Sequence, residues 1–203
     1  MAKVLQDTIA TNRDSRSTSD GIDLITVDHG WGSAWWNQSV DLSQDWSSTF
    51  TLYTGGGSGT SDGLTFAING DPRGTKAIGD GGGNKGFFGY DTGGGISNSY
   101  AITFNMWASQ GTASLLGFAA SNNKSIPPGS IQLPIPIVNN TYSSEVRYSA
   151  NKKSLTVTIG GSVFENNIDL SATVGKTAFI GFTGANGGGT MDMKAVSYTH
   201  LRA

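Results

Sequence analysis

Glycine sets the limits on what this chain can fold into. Thirty of its 203 residues are Gly, roughly twice the usual share of about 7 %. Many fall in clusters, such as Gly55-Gly56-Gly57, Gly81-Gly82-Gly83, Gly93-Gly94-Gly95 and Gly187-Gly188-Gly189. Glycine destabilises a helix interior, and between the clusters no i, i+3, i+4, i+7 apolar pattern lasts three turns. What remains is strand-length: apolar or alternating runs at 22–27, 48–53, 63–68, 100–107, 114–119, 145–148, 154–159 and 177–182, each bounded by Gly, Asn, Asp or Ser. In Ser154-Leu155-Thr156-Val157-Thr158-Ile159 the alternation is strict and puts Leu155, Val157 and Ile159 on one sheet face. The predicted fold is all-β, two packed antiparallel sheets forming a sandwich or jelly roll, because one open sheet this apolar would leave a greasy face in water.

Within that fold the glycine tracts 55–59, 79–95 and 184–189 are predicted to be loops at one end of the sandwich. Pro127-Pro128-Gly129 and Pro134-Ile135-Pro136 mark a crossing loop or edge segment, since proline cannot donate to an interior ladder. Residues 1–21 show no periodic apolar face and read as an irregular lead-in, with the sandwich spanning 22–198.

Composition narrows the function. Lys and Arg total 13 against 15 Asp and Glu, a net charge of -2, so no basic stripe exists to neutralise a row of phosphates and nucleic acid is not an expected partner. Cysteine is absent, which removes thiol catalysis and Cys-ligated zinc. No apolar run approaches the roughly 20 residues of a membrane-spanning helix, so membrane insertion is not expected. The first seven residues contain no apolar stretch of the kind a signal peptide needs.

The ordered motifs carry a resemblance. Gly32-Ser33-Ala34-Trp35-Trp36, then Val40-Asp41-Leu42 and Phe50-Thr51-Leu52-Tyr53, are followed by Asp62-Gly63-Leu64-Thr65-Phe66-Ala67-Ile68-Asn69 and Asp71-Pro72-Arg73-Gly74. Gly89-Tyr90, Tyr100-Ala101-Ile102-Thr103-Phe104-Asn105, Val146-Arg147-Tyr148 and Ile180-Gly181-Phe182-Thr183-Gly184-Ala185 continue the series. In order and spacing this resembles the legume-type (L-type) lectin domain and its bacterial relatives, on a concanavalin A-like sandwich. The resemblance implies non-catalytic carbohydrate recognition at a shallow site built from loops. Asp62 matches the Asp that accepts from sugar hydroxyls, Gly86 the glycine whose loop offers a backbone N–H, and Ala185, Asn186 and Gly187 the last loop. By spacing, Ser109 stands where the family has its sugar-binding Asn.

The family's metal ligands are replaced. Thr103 and Asn105 stand in place of the Glu and Asp of its metal-binding strand, and Ala113 and Leu115 in place of a later Asp and a His. Asn105 and Ser109 supply neutral oxygens, whereas calcium wants six to eight oxygens with charge-compensating carboxylates. The expected site therefore holds no metal and no other cofactor, and binds glycans or glycoconjugates weakly and without regard to EDTA. Weak single sites gain from multiplicity, so a homo-oligomer or a multi-domain parent is the expected context, outside the cell, at its surface or on a viral particle. The tail Thr199-His200-Leu201-Arg202-Ala203 departs from the family's last strand and reads as non-native.

Plainer readings stand beside these. Asp62 could be an Asx-type turn residue before Gly63, and Gly86 could serve its turn alone. Phe87, Phe88 and Tyr90 could form a sugar-stacking platform, although two of the three are expected in the core, and Trp107 at a strand end is the better candidate for partial exposure. Hydrolysis is not expected, since no paired carboxylates share a strand and no Gly-x-Ser-x-Gly motif accompanies His29. The alternative function is a structural or adhesion module of a cell-surface or viral particle protein that has lost sugar binding.

Overall fold

The structure is a computed structural model that describes residues 9–57, 62–89, 94–107, 115–120 and 131–202. Two antiparallel sheets face each other. The front sheet runs β1 (Ile9–Arg13), β4 (Trp31–Trp36), β14 (Thr177–Ala185), β7 (Gly63–Asn69), β8 (Ser99–Asn105), β9 (Leu115–Ala120), β10 (Ile131–Gln132), with β5 (Val40–Asp41) also paired to β14. The back sheet runs β13 (Ser162–Asn167), β12 (Ser154–Ile159), β11 (Asn140–Ser149), β6 (Trp46–Gly55), β15 (Asp192–Arg202), β3 (Gly21–Ile25), β2 (Arg16–Thr18). Among the described residues the only α-helix is the single turn α1 (Leu170–Thr173), capped by the Asp169 carboxylate, which accepts from the Ala172 N–H.

Alternation decides what enters the core. Leu64, Phe66 and Ile68 of β7, Tyr100, Ile102 and Phe104 of β8, and Ile180 and Phe182 of β14 join Phe50, Leu52, Val146 and Val157 of the back sheet in one buried cluster. Phe66 stacks on Phe50 with ring centroids 5.1 Å apart, and Phe182 meets both edge-on at 5.1 and 5.6 Å. Each such side chain contributes about 2 kcal/mol by leaving water.

The intervening positions of the same strands are small and yet also buried. Pairing lines them up in rows across the front sheet: Gly181, Ala67, Ala101 and Ala119 in one, Thr183, Thr65, Thr103 and Gly117 in the next. Onto this face pack the glycine-rich stretches 70–89 and 94–98, a covering segment whose Ala77, Phe87, Phe88 and Ile96 form a second buried cluster with Trp35, Ala67, Ala101 and Ala119. The segment is therefore a cover on the sheet, beyond the end loop predicted from its glycines. Asp71, 5 % exposed, clamps its two ends. One carboxylate oxygen accepts from Arg73 N–H and Nε, the other from Arg73 Nη2, the Ser97 N–H and the Ser97 hydroxyl, all at 2.7–2.9 Å.

Two stretches differ from the sequence expectation. Residues 9–18, read as irregular, form β1 and β2. β1 pairs with β4, and its Asn12 amide donates to the Thr75 carbonyl at 2.8 Å and the Ser33 hydroxyl at 2.9 Å, anchoring the covering segment. A polar strand of this kind shows no apolar stripe because its partners are carbonyls and hydroxyls. At the other end β15 continues past residue 198, the expected end of the sandwich, with residues 199–202 paired to Thr49, Ser48, Ser47 and Trp46 of β6.

Candidate functional site

Asp62 stands where three strand ends meet. It precedes Gly63, which pairs with Asn105 of β8 on one side and Ala185 of β14 on the other. Gly63 has φ +138°, and a Cβ there would lie 2.2 Å from the Phe104 carbonyl oxygen, so only glycine lets the chain come this close. The Asp62 carbonyl accepts from the Met106 N–H at 3.3 Å. Its half-buried side chain lies against the last loop, where a Cβ on Gly187 would stand 2.3 Å from Oδ2. That Oδ2 is buried and has no hydrogen-bond partner.

Beside the carboxylate lies a cation that the sequence reading missed. Lys85 is fully buried, with φ +58°. Its stem runs over Gly63: a Cβ there would meet Lys85 Cε at 3.0 Å and Asn105 Cα at 3.3 Å. Its ammonium donates to the Gly83 carbonyl at 3.1 Å. Burial pushes Lys85 down to about 8, against the pull of Asp62. Burial also pushes the Asp62 carboxyl above its usual range, opposed by Lys85 and by its own backbone N–H. Nothing in Asn84-Lys85-Gly86 as a sequence marks a buried lysine. The available signal was the alternating small positions Gly63, Thr65 and Ala67, which leave room for a covering chain.

Around this pair the expected residues separate into two groups. Asn105, half-buried at the end of β8, turns its amide to the Trp107 carbonyl at 2.9 Å, and Trp107 itself is 57 % exposed. Asp62, Asn105, Trp107 and Gly187 thus form one rim. Gly86, Ala185 and Asn186 do not join its surface. Gly86 is buried at φ +70°, its N–H donating to the Asp80 carbonyl at 2.8 Å, so the N–H expected to face a sugar is engaged inside the covering segment. Ala185 is fully buried between β4 and β7. Asn186 is 1 % exposed and ties the last loop inward, its amide donating to the carbonyls of Val27 and Met191. Short uncharged side chains near a rim do not announce whether they face ligand or backbone. Ser109 and Tyr90 lie outside the described residues. Phe87 and Phe88 belong to the second core.

Of the family's metal positions, the described ones offer neutral oxygen donors without the compensating charge of a carboxylate. Thr103 offers a buried hydroxyl and Asn105 an amide, neither charged, and the nearby Lys85 ammonium would repel a divalent cation. Among the described residues no group of three or more His, Asp or Glu is placed to hold a metal. Ala113 and the side chain of Leu115 are outside the described set. A separate depression of about 550 Å³ lies on the back sheet, lined by Asp45, Trp46, Arg147, Tyr148 and Lys152 among others. It is at the far end of β6 from Gly55, roughly 30 Å along that strand at about 3.3 Å per residue.

A family model for the legume lectin domain matches residues 3–200. Solved structures with the same fold include a lectin from Bauhinia forficata in complex with GalNAc, at 18 % identity and TM-score 0.76, covering 97 % of this chain and 93 % of that one. Peanut lectin with a nine-residue peptide aligns at 18 % identity and TM-score 0.79, covering 97 % and 91 %. Arcelin-5, a lectin-like defense protein from Phaseolus vulgaris, aligns at 13 % identity and TM-score 0.78, covering 97 % and 92 %. With two glycine-laced sheets, a carboxylate at the meeting point of three strand ends and a family match over nearly its whole length, this chain belongs to the legume lectin domain family.

Proposed function

We propose that the chain recognises carbohydrate without catalysis, at the rim formed by Asp62, Asn105, Trp107 and Gly187. The carrying observation is the Asp62 carboxylate, half-buried where β7 leaves the sheet and one strand end away from an exposed indole. A carboxylate accepts hydrogen bonds from vicinal hydroxyls, and an indole face suits the C–H face of a pyranose. GalNAc in the Bauhinia forficata lectin makes a hexosamine a sensible first probe. Binding is weak at a shallow rim, proceeds without a metal because the donors are neutral and a lysine is in place, and gains strength from repetition in an oligomer or a longer protein. Glycans or glycoconjugates outside the cell, at its surface or on a viral particle are the partners that fit.

A second reading has its own support: with Gly86, Ala185 and Asn186 all engaged internally, few polar groups are left to face a ligand, as suits a structural or adhesion module that has lost its sugar. A glycan array read with and without EDTA separates the two. Reproducible binding that survives EDTA and disappears in Asp62→Ala supports recognition. A silent array supports the scaffold, and signal lost with EDTA refutes metal independence.

A further inference from the structure

We propose that Lys85 is the positioning residue of this site: its buried ammonium, laid across Gly63, is the fixed counter-ion of Asp62 and does the work of a bound cation. The proposal rests on the carbohydrate reading of the same rim.

A lysine is a poor choice for where it sits unless its charge is needed. It occupies the left-handed region at φ +58°, a conformation that persists in a non-glycine residue only where the surroundings enforce it. Here they do: the Lys85 N–H donates to the Gly82 carbonyl at 2.9 Å, and its own carbonyl accepts from the Thr183 hydroxyl at 2.6 Å. Its side chain is fully buried, which costs a charged group several kcal/mol unless an opposite charge and hydrogen bonds offset it. Gly63 has no side chain to block the stem, and Thr65 and Thr183 beside it are joined hydroxyl to hydroxyl at 2.8 Å, which keeps that row compact.

The needs of the two groups match. An ammonium has three N–H donors, of which the Gly83 carbonyl takes one, and Asp62 Oδ2 is buried with no hydrogen-bond partner; the two groups do not touch, and the cation acts on the carboxylate through space, from a stem packed on the neighbouring Gly63. Asp62 is the charged group that acts on the Lys85 ammonium; Asp80, on the same segment, instead directs its carboxylate toward Gly94. A carboxylate pressed against Gly187 in a partly dry rim would otherwise take up a proton and lose its value as an acceptor of two hydroxyl bonds. A cation delivered by the covering segment keeps it ionised, and does so independently of the supply of ions.

The test reads the pair directly. Asp62 is followed by its carboxyl carbon shift in a pH titration of the wild type, Lys85→Met and Lys85→Arg, each with EDTA and with added calcium. The expected result is a midpoint raised by about one pH unit or more in Lys85→Met, restored toward wild type in Lys85→Arg, and unmoved by EDTA or calcium. An unchanged midpoint in folded Lys85→Met overturns the proposal, as does a wild-type midpoint that calcium or EDTA shifts. Should Lys85→Met fail to fold, the reverse measurement serves: Asp62→Asn should lower the Lys85 titration midpoint, and no change there is equally fatal. Because these readings involve no saccharide, they fail separately from the glycan array. A coupled pair with a silent array removes the binding role of the rim, whereas an uncoupled pair with a positive array removes only Lys85. With a hexosamine that binds, Lys85→Met should shift the pH profile of binding to higher pH, a change that a merely structural loss would not give.

Discussion

Replacing Asp71 by Asn is the sharpest test of how the covering segment is held. The carboxylate accepts five hydrogen bonds, two on one oxygen and three on the other. An amide keeps one acceptor and turns a donor toward the remaining two or three N–H and O–H groups. At about 1–1.5 kcal/mol for each lost bond, and discounting the pair with Arg73 because that side chain is 42 % exposed, the cost is about 2–4 kcal/mol. For a domain of this size that lowers the melting temperature by roughly 5–15 °C. The pH dependence has a definite sign. Burial pushes Asp71 up, but the Arg73 and Ser97 donors outweigh it and hold the carboxyl well below its ordinary 3.8. Below that ordinary value the unfolded chain binds more protons than the folded one, so the stabilisation is complete above it and fades as pH falls toward the folded value. Calorimetry on both proteins from about pH 2 to 7 should show the gap widest near neutrality and narrowing in acid. A variant that melts within about 2 °C of wild type at pH 7, or a gap that stays constant on acidification, would refute the clamp.

Gly86→Ala forces a side chain to φ +70° with its Cβ 2.9 Å from the Gly32 oxygen and 3.0 Å from the Gly184 oxygen; denaturant unfolding should record a loss of about 1–3 kcal/mol or more. Gly187→Ala puts a Cβ 2.3 Å from Asp62 Oδ2, so the carboxylate must move, and titration calorimetry with a bound saccharide should show roughly tenfold weaker affinity with little change in melting temperature. Trp107→Ala, at a position 57 % exposed, should leave stability within about 0.5 kcal/mol while weakening saccharide binding by about 1 kcal/mol, the worth of a stacked ring.

Alternation made most of the fold legible. All eight runs read from the sequence contain a strand, and 154–159 matches β12 residue for residue. What alternation could not show is that a strand's small face is also buried. Thr65, Ala67, Ala101 and Thr103 look like solvent-facing positions, yet they are buried on the face that the covering segment packs against, and that contact is between segments whose pairing no local pattern records. The same limit explains the site. Asp62 stood out through its motif, and Trp107 through its place after a strand. Lys85 did not, because a lysine among glycines has the composition of an exposed loop, and only the vacancy above Gly63 gives it somewhere to be buried.

The small residues of the front sheet connect the fold to its chemistry. A bulky row at Gly181, Ala67, Ala101 and Ala119 would lift the covering segment away, and with it Phe87 and Phe88. Lys85 directly precedes Gly86 and Phe87, so its reach over Gly63 depends on that contact, as does the charge beside Asp62. The clamp at Asp71 closes the segment at its two ends, the alanines seat its middle, and the lysine acts between them. Charge balance at the rim is therefore a consequence of packing on the outer face of the sheet: mutations there, remote from any saccharide, act on the Asp62 carboxylate through one continuous chain of contacts.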